Sequence, residues 1–287
     1  MADRVTALAR THFASRAELV FHPQCFLTDG HFAGDDGARA AALADVANDP
    51  AIDAVWFARG GYGSCRILPE VLPKLGPRAR EKLYLGYSDL GSLLAGLHSA
   101  GFRRLAHGPM PADIIRKGGE AAVLRALSYL VDKDKAALEP HVKAGTPHAA
   151  FNLTILSHLI GTPWQPDLAG HVLMVEDVSE HMYRIDRALF HVSSNEAMRK
   201  IAGLRLGRVS DVLPNEPEFG KSEEDVAQHW CRVSGIAYLG RADIGHDADN
   251  KVVPFGAEPS SRILTQWSQR LCRGRRDTEI FGDTRAS

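Results

Sequence analysis

Four sets of residues in this sequence could do chemistry. The first centres on Ser88, in Lys82-Leu83-Tyr84-Leu85-Gly86-Tyr87-Ser88-Asp89-Leu90. An apolar run over 83–87 ends at the serine, and Leu90, Leu93, Leu94 and Leu97 follow at helical spacing. A serine at a strand-to-helix corner is lifted out of the sheet, and its neighbouring backbone N–H groups point where an oxyanion can sit. Gly86 lets the chain turn tightly beside it. Serine is also a favoured helix N-cap, and on these nine residues alone capping is the commoner role. The second set is Arg59-Gly60-Gly61-Tyr62-Gly63. It lacks the lysine and spacing of a P-loop and is not G-x-G-x-x-G. Its glycines permit close backbone approach to a reacting carbonyl, as an oxyanion hole needs, or simply a tight turn. The third is Glu176-Asp177, closing the apolar run Leu173-Met174-Val175. A carboxylate there can orient a histidine through Nδ1–H; a solvated strand end, or a capping pair with Glu180, is the plainer role. The fourth is His246, just past a strand in Asp243-Ile244-Gly245-His246-Asp247. Histidine is the usual base for a serine, although the chain holds 13 of them. No His-x-x-x-His or His-Glu-x-x-His helix occurs, so a metal ranks below a serine, histidine and acid, and the expectation is no metal and no cofactor.

The elements that must position these residues alternate in type. Helices are expected over 3–15, 36–48, 119–131 and 182–192, with one after Ser88 ending near Gly101 and another opening at Ser222. Strands are expected over 18–22, 52–58, 83–87, 104–107, 171–178, 201–209, 236–239 and 252–255. Residues 132–148 lose this rhythm, carry Pro140 and Pro147, and read as a crossing segment. Residues 151–159 read as helical, and 270–287 as a polar tail that frays. Strands alternating with helices indicate an α/β fold with parallel sheets covered on both faces. Ligands of such sheets bind at the carboxyl ends of strands, where both the glycine loop and Ser88 lie.

Composition narrows the partner. The 287 residues carry a net charge of −1, with 45% hydrophobic and 24% charged residues, and suffice for two domains. Mixed charge of both signs leaves no nucleic-acid footprint and no membrane-surface patch, so a small molecule or a peptide is the expected partner. Cys25, Cys65, Cys231 and Cys272 are far apart, which excludes a zinc spacing or a redox pair and favours reduced thiols in a cytoplasmic protein. The first ten residues have no apolar core of a signal peptide, and no run approaches a membrane span.

Taken together, the motifs resemble a family. Asp53-Ala54-Val55-Trp56 with Arg59-Gly60-Gly61-Tyr62-Gly63-Ser64-Cys65-Arg66-Ile67-Leu68 is one block. Gly86-Tyr87-Ser88-Asp89 followed by His107-Gly108-Pro109-Met110 is a second. Asn152-Leu153-Thr154, Gly161-Thr162-Pro163, Glu176-Asp177-Val178-Ser179-Glu180 and Tyr183-Arg184-Ile185-Asp186-Arg187 form a third, completed by Gly245-His246 and Pro254-Phe255-Gly256. In this order they resemble the LD-carboxypeptidases of the serine-peptidase clan that includes the microcin-immunity peptidases.

The resemblance implies a Rossmann-like N-terminal domain with a parallel sheet and a smaller α/β C-terminal domain, usually in a homodimer. The boundaries drawn are 1–140 for the nucleophile domain, 141–150 for a linker, and 151–287 for the domain carrying Glu and His. Carried over by position, Ser88 is the nucleophile, His246 the base and Glu176 the orienting acid, with Glu180 as the fallback. The backbone N–H groups of Asp89 and of Gly61 or Gly60 would form the oxyanion hole. The implied substrate is a murein-derived tetrapeptide that loses its C-terminal D-amino acid in the cytoplasm. A peptidyl-nucleotide amide, or ligand binding without catalysis, is the alternative; Trp56 and Trp164 are candidates for a purine platform, with packing as their plainer role. The family pattern begins with a strand bearing a Pro-Ser-Ser-like turn, whereas this chain opens at the following helix, so a start upstream of Met1 is an expectation. Relatives carry Gly-Gly before the Asn-Leu; here Ala150-Phe151 stands there and puts bulk near the domain junction.

Overall fold

The alternating elements build two sheets that share a core. The computed structural model describes residues 1–257. Helix α1 (Ala2–Phe13) buries Val5, Leu8, Ala9 and Phe13 on one face, against Val123 and Leu127 of α6 (Gly119–Asp132). Helix α2 (Asp36–Asn48) starts where expected, because the Asp35 carboxylate accepts the Ala38 N–H at 2.7 Å and caps it. Strand β1 (Ala54–Trp56), α3 (Ser64–Val71), α4 (Pro77–Glu81), β2 (Leu83–Gly86), α5 (Gly91–Ser99) and β3 (Leu105–His107) follow, then α6. β1, β2 and β3 pair in parallel, with Val55 beside Tyr84 and Leu85 beside Ala106.

The second half runs β4 (Pro147–Asn152), α7 (Leu153–Leu159), β5 (Val172–Val178), α8 (Met182–Ser194), β6 (Gly203–Ser210), α9 (Glu223–Ser234) and β7 (Tyr238–Arg241). Ser222 and Asp225 close a capping box at the start of α9. These strands pair in parallel in the order β7-β6-β5-β4. The chain then returns. β8 (Val253–Pro254) adds antiparallel to β3 of the first sheet, and β9 (Gly256–Ala257) adds antiparallel to β4 of the second. The protein is thus α/β with two mixed, mostly parallel sheets, stitched together by five consecutive residues.

Between β8 and β9, Phe255 packs on Phe151 with ring centroids 5.1 Å apart. Phe151 is wholly buried, at the seam where bulk was expected, and lies beside Gly91 at the start of α5. Burying a phenylalanine contributes about 1.5–3 kcal/mol. One cluster runs from Leu90 and Leu94 through Phe151 and Leu156 to Val175, so the apolar core is continuous across both halves.

Two elements differ from expectation. Residues 18–22, expected as a strand, form no helix or strand and pair with none among the described residues. Their alternation serves packing instead: Ala17, Leu19 and Phe21 lie on the α1 cluster while Val20 points out. Residues 147–152 form β4, where a crossing segment up to 148 and a helix from 151 were expected, and α7 begins only at Leu153. β4 is buried on both faces, so it shows no alternation to read. Cys272 and the tail over 270–287 lie outside the described residues. No helix among the described residues is long and apolar enough to cross a membrane.

Candidate active site

Ser88 stands at the carboxyl end of β2, where a 3-10 turn (Ser88–Leu90) leads into α5. Its backbone is left-handed, φ 62°, a conformation that costs a residue with a Cβ about 1–2 kcal/mol. Such strain at a strand-to-helix corner lifts the hydroxyl off the sheet. The hydroxyl makes no helix cap; its Oγ lies 2.9 Å from His246 Nε2.

The next residue, Asp89, binds the glycine loop to this corner. Its carboxylate accepts the Ser64 N–H at 2.8 Å, at the start of α3, and the Ser64 hydroxyl donates back to the Asp89 carbonyl at 2.5 Å. Burial raises the Asp89 pKa, and the Ser64 bonds oppose that rise. The loop is thereby drawn against the serine. A Cβ built on Gly60 would lie 2.9 Å from Ser88 Cβ and 3.0 Å from Oγ, so the position admits only glycine. Gly61 stands one residue further out, at φ 122°.

Glu176 and Asp177 are consecutive on β5 and so face opposite ways. Asp177 holds α7: it accepts from Asn152 Nδ2 at 2.8 Å and from Thr154 Oγ1 at 2.8 Å. Glu176 faces the other side, wholly buried, with Oε2 at 2.5 Å from His246 Nδ1. Burial pushes the Glu176 carboxyl above its usual value, while the bond to His246 pulls it down. The solvated strand end weighed above is therefore not what this residue is. Glu180 pairs with Arg184 at 3.4 Å instead of joining this line.

His246 lies on a loop after β7 with no helix or strand of its own. A bulge admits it. The β5–β6 register shifts opposite Glu176, between Val175 and Asp177. Gly207 sits in that bulge, and a Cβ there would come 2.8 Å from the Ile244 carbonyl and 2.9 Å from Glu176 Cβ. The adjacent Arg208 reaches over the loop and grips both its ends, with Asp243 at 2.5 Å from Nη1 and Asp247 at 2.8 Å from Nη2. Sequence reasoning missed Arg208; the two aspartates on either side of His246, Asp243 and Asp247, are the signal for such a cation. Glu139, also buried, accepts the Asp243 N–H at 3.1 Å and His141 Nδ1 at 2.8 Å. Beneath the site, the Tyr87 ring packs 4.9 Å from the His246 imidazole and 5.6 Å from His107. His107 is buried, and burial lowers its pKa to about 3.

The structure thus brings Ser88, His246 and Glu176 into one hydrogen-bonded line, with Gly60 and Asp89 beside the serine. Such a line can pass a proton from a hydroxyl to an imidazole whose other nitrogen a carboxylate holds. Neither tryptophan stands free as a platform. Trp56 Nε1 donates to the Pro109 carbonyl at 2.8 Å, and Trp164 packs half-buried on the core. Among the described residues, no group of three or more His, Cys, Asp or Glu side chains could hold a metal ion.

Comparison with known proteins covers the same ground. Residues 3–108 match the family model of the LD-carboxypeptidase N-terminal domain, and residues 149–260 that of the LD-carboxypeptidase C-terminal domain. A Bacillus subtilis protein named "probable murein peptide carboxypeptidase" is 29% identical over 239 residues, 80% of this chain and 75% of that protein. The crystal structure of a muramoyltetrapeptide carboxypeptidase from Oxalobacter formigenes superposes with a TM-score of 0.70 at 27% identity, covering 88% of this chain and 89% of that one. The wild-type microcin C7 self-immunity protein superposes at 0.68 with 19% identity, over 88% and 86% of the two chains, a likeness of fold alone.

Proposed function

The chain belongs to the LD-carboxypeptidase family, and on that premise we propose that it is a serine carboxypeptidase releasing a C-terminal D-amino acid from a murein-derived peptide. The observation that carries the reading is the line from Ser88 Oγ through His246 to Glu176, at 2.9 and 2.5 Å. In this reading Ser88 Oγ attacks the carbonyl of the L,D-peptide bond while His246 Nε2 takes its proton. Glu176 holds the ring through Nδ1–H and faces the imidazolium with a charge. The oxyanion lies against the N–H of Asp89 and of Gly60 or Gly61, where a dry, fixed dipole is worth most. His246 returns its proton to the leaving amine, and water, activated by the same imidazole, then frees the acyl-enzyme. The relatives named for murein peptides supply the substrate class. Trp56, tied to the Pro109 carbonyl, and Trp164, half-buried on the core, serve packing, which weighs against these two as a purine platform.

Incubating the protein with an L,D-tetrapeptide should release its terminal D-amino acid, and a fluorophosphonate should label Ser88 and block that release. Labelling without turnover of any L,D-peptide would leave a serine hydrolase of another substrate. No labelling at Ser88 would sink the nucleophile.

A further inference from the structure

The proton transfer needs His246 Nε2 within about 2.6–3.2 Å of Ser88 Oγ, yet His246 rides on an irregular loop. Arg208 and Glu139 fix the ends of that loop at 243 and 247. Another pair of residues reaches the histidine itself, from the turn that follows β3 of the serine's sheet. Asp113, buried in the 3-10 turn Pro111–Ile115, accepts the Tyr87 hydroxyl at 2.8 Å and the Met110 N–H at 2.8 Å. Arg116 Nε lies 3.0 Å from the same carboxylate, and Arg116 Nη1 donates to the carbonyl of His246. Tyr87 is the residue before Ser88, and its ring packs on the His246 imidazole. One carboxylate is therefore joined on one side to the residue preceding the serine, and on the other to the backbone of the histidine. Arg125 of α6 continues the same grip, donating to the carbonyls of Ala248 and Asn250 at 2.9 Å each.

We propose that Asp113 and Arg116 are positioning residues that set the approach of His246 to Ser88. The inference rests on the reading of Ser88 as the nucleophile. Neither residue touches the reacting atoms. Each acts through another: Asp113 through the Tyr87 hydroxyl, Arg116 through the His246 carbonyl. A displacement of about 1 Å at a catalytic group costs on the order of 100-fold in rate, so a loosened loop should show in kcat before it shows in binding. Arg116 is the side chain to remove first. Its side chain is 43% exposed whereas Asp113 is buried, so its loss leaves a buried carboxylate one partner short, and the Tm reading with the Arg116→Lys variant separates positioning from folding.

The test measures three quantities in wild type, Arg116→Ala, Arg116→Lys, Tyr87→Phe and the double variant Tyr87→Phe/Arg116→Ala: kcat and KM on an L,D-tetrapeptide, the rate of fluorophosphonate labelling at Ser88, and Tm. Arg80→Ala is the control, since Arg80 likewise donates to a main-chain carbonyl, that of Ala100, away from the site. Arg116→Ala should lower kcat and the labelling rate together by about tenfold or more, with KM within about twofold. Arg116→Lys, which can still reach one carbonyl, should recover part of the loss. The double variant should lose less than the product of the two single losses, because both act through Asp113. Wild-type labelling and kcat in Arg116→Ala would overturn the inference, as would an equal loss in Arg80→Ala at the same Tm. A wild-type protein that does not label at Ser88 at all would bring down the nucleophile reading itself, and this inference with it.

Discussion

At Ser88 the chain accepts a left-handed backbone, φ 62°, that glycine would hold without cost. The proposed role predicts an unusual pair of variants. Ser88→Ala and Ser88→Gly should both lose kcat by on the order of 10³-fold or more. Ser88→Gly should nevertheless be the more stable of the two, by about 1 kcal/mol in chemical denaturation. Equal stability would mean that the corner stores no strain, and retained turnover in either would refute the nucleophile. Glu176 yields a prediction of the same kind. Burial raises its carboxyl pKa, so the folded state holds that proton more tightly than the unfolded chain does. That tighter hold supports the fold below the unfolded value of about 4.5 and is lost as pH rises through the folded value. Glu176→Gln keeps the shape without the charge. It should lower kcat by about 10³- to 10⁴-fold with little change in KM, yet unfold no more easily than wild type at pH 7. Any advantage in stability should fade as pH falls toward 4.5; an advantage that grows with acidification would contradict the burial argument. Ser88, Glu176 and His246 stood out as residues that close or follow an apolar strand, but capping, a solvated strand end and 12 other histidines competed with those roles, and only the family resemblance joined the three. Asp113 and Arg116 did not stand out, because what joins them to the site is a three-dimensional approach with no spacing of its own.

Among the elements, those with a local signature were readable. α2 has its Asp35 cap, α9 its capping box, and β5 its apolar run ending in acid. β4 was not, since a strand buried on both faces reads like any short apolar run. The 18–22 segment alternates convincingly and still finds no strand to pair with among the described residues, because alternation records which side is buried and not what buries it. The end of β3 carries a testable burden. His107 is buried with Nε2 unpartnered, beside the Asn250 amide and near His246, and its pKa falls to about 3. The unfolded chain takes up that proton near 6.5, whereas the folded chain resists it until about 3. Stability from this group is therefore fully present above about 6.5 and is lost as pH falls through the window between the two values, by about 1.4 kcal/mol per unit. His107→Gln should flatten that loss in urea melts taken at pH 7, 6, 5 and 4. Parallel pH profiles for variant and wild type would show that His107 does not titrate as its burial requires.

On the scale of the whole molecule, the proposed site exists only as an assembly. Ser88 follows a strand of the first sheet, Glu176 lies near the carboxyl end of a strand of the second, and His246 hangs between them on a loop held from both sides. Ser88 and His246 are 158 positions apart in the chain, and no local geometry could bring them within 2.9 Å. The means are the shared core through Phe151 and the stitch of β8 and β9, both of which come after the residues they align. Groups assembled in this way should act as one unit or not at all. If His246 serves Ser88, removing the serine leaves the imidazole with no proton to accept. Adding His246→Ala to Ser88→Ala should then cost almost nothing further in kcat, although His246→Ala alone should cost nearly as much as Ser88→Ala alone. The residual rate in all three variants should be similar, coming from substrate binding and the backbone N–H groups at Asp89 and Gly60 or Gly61. Two independent losses that multiply would mean that His246 acts on something other than Ser88. In that case the contact in the resting protein would be structural, and the base would have to be sought among the remaining histidines.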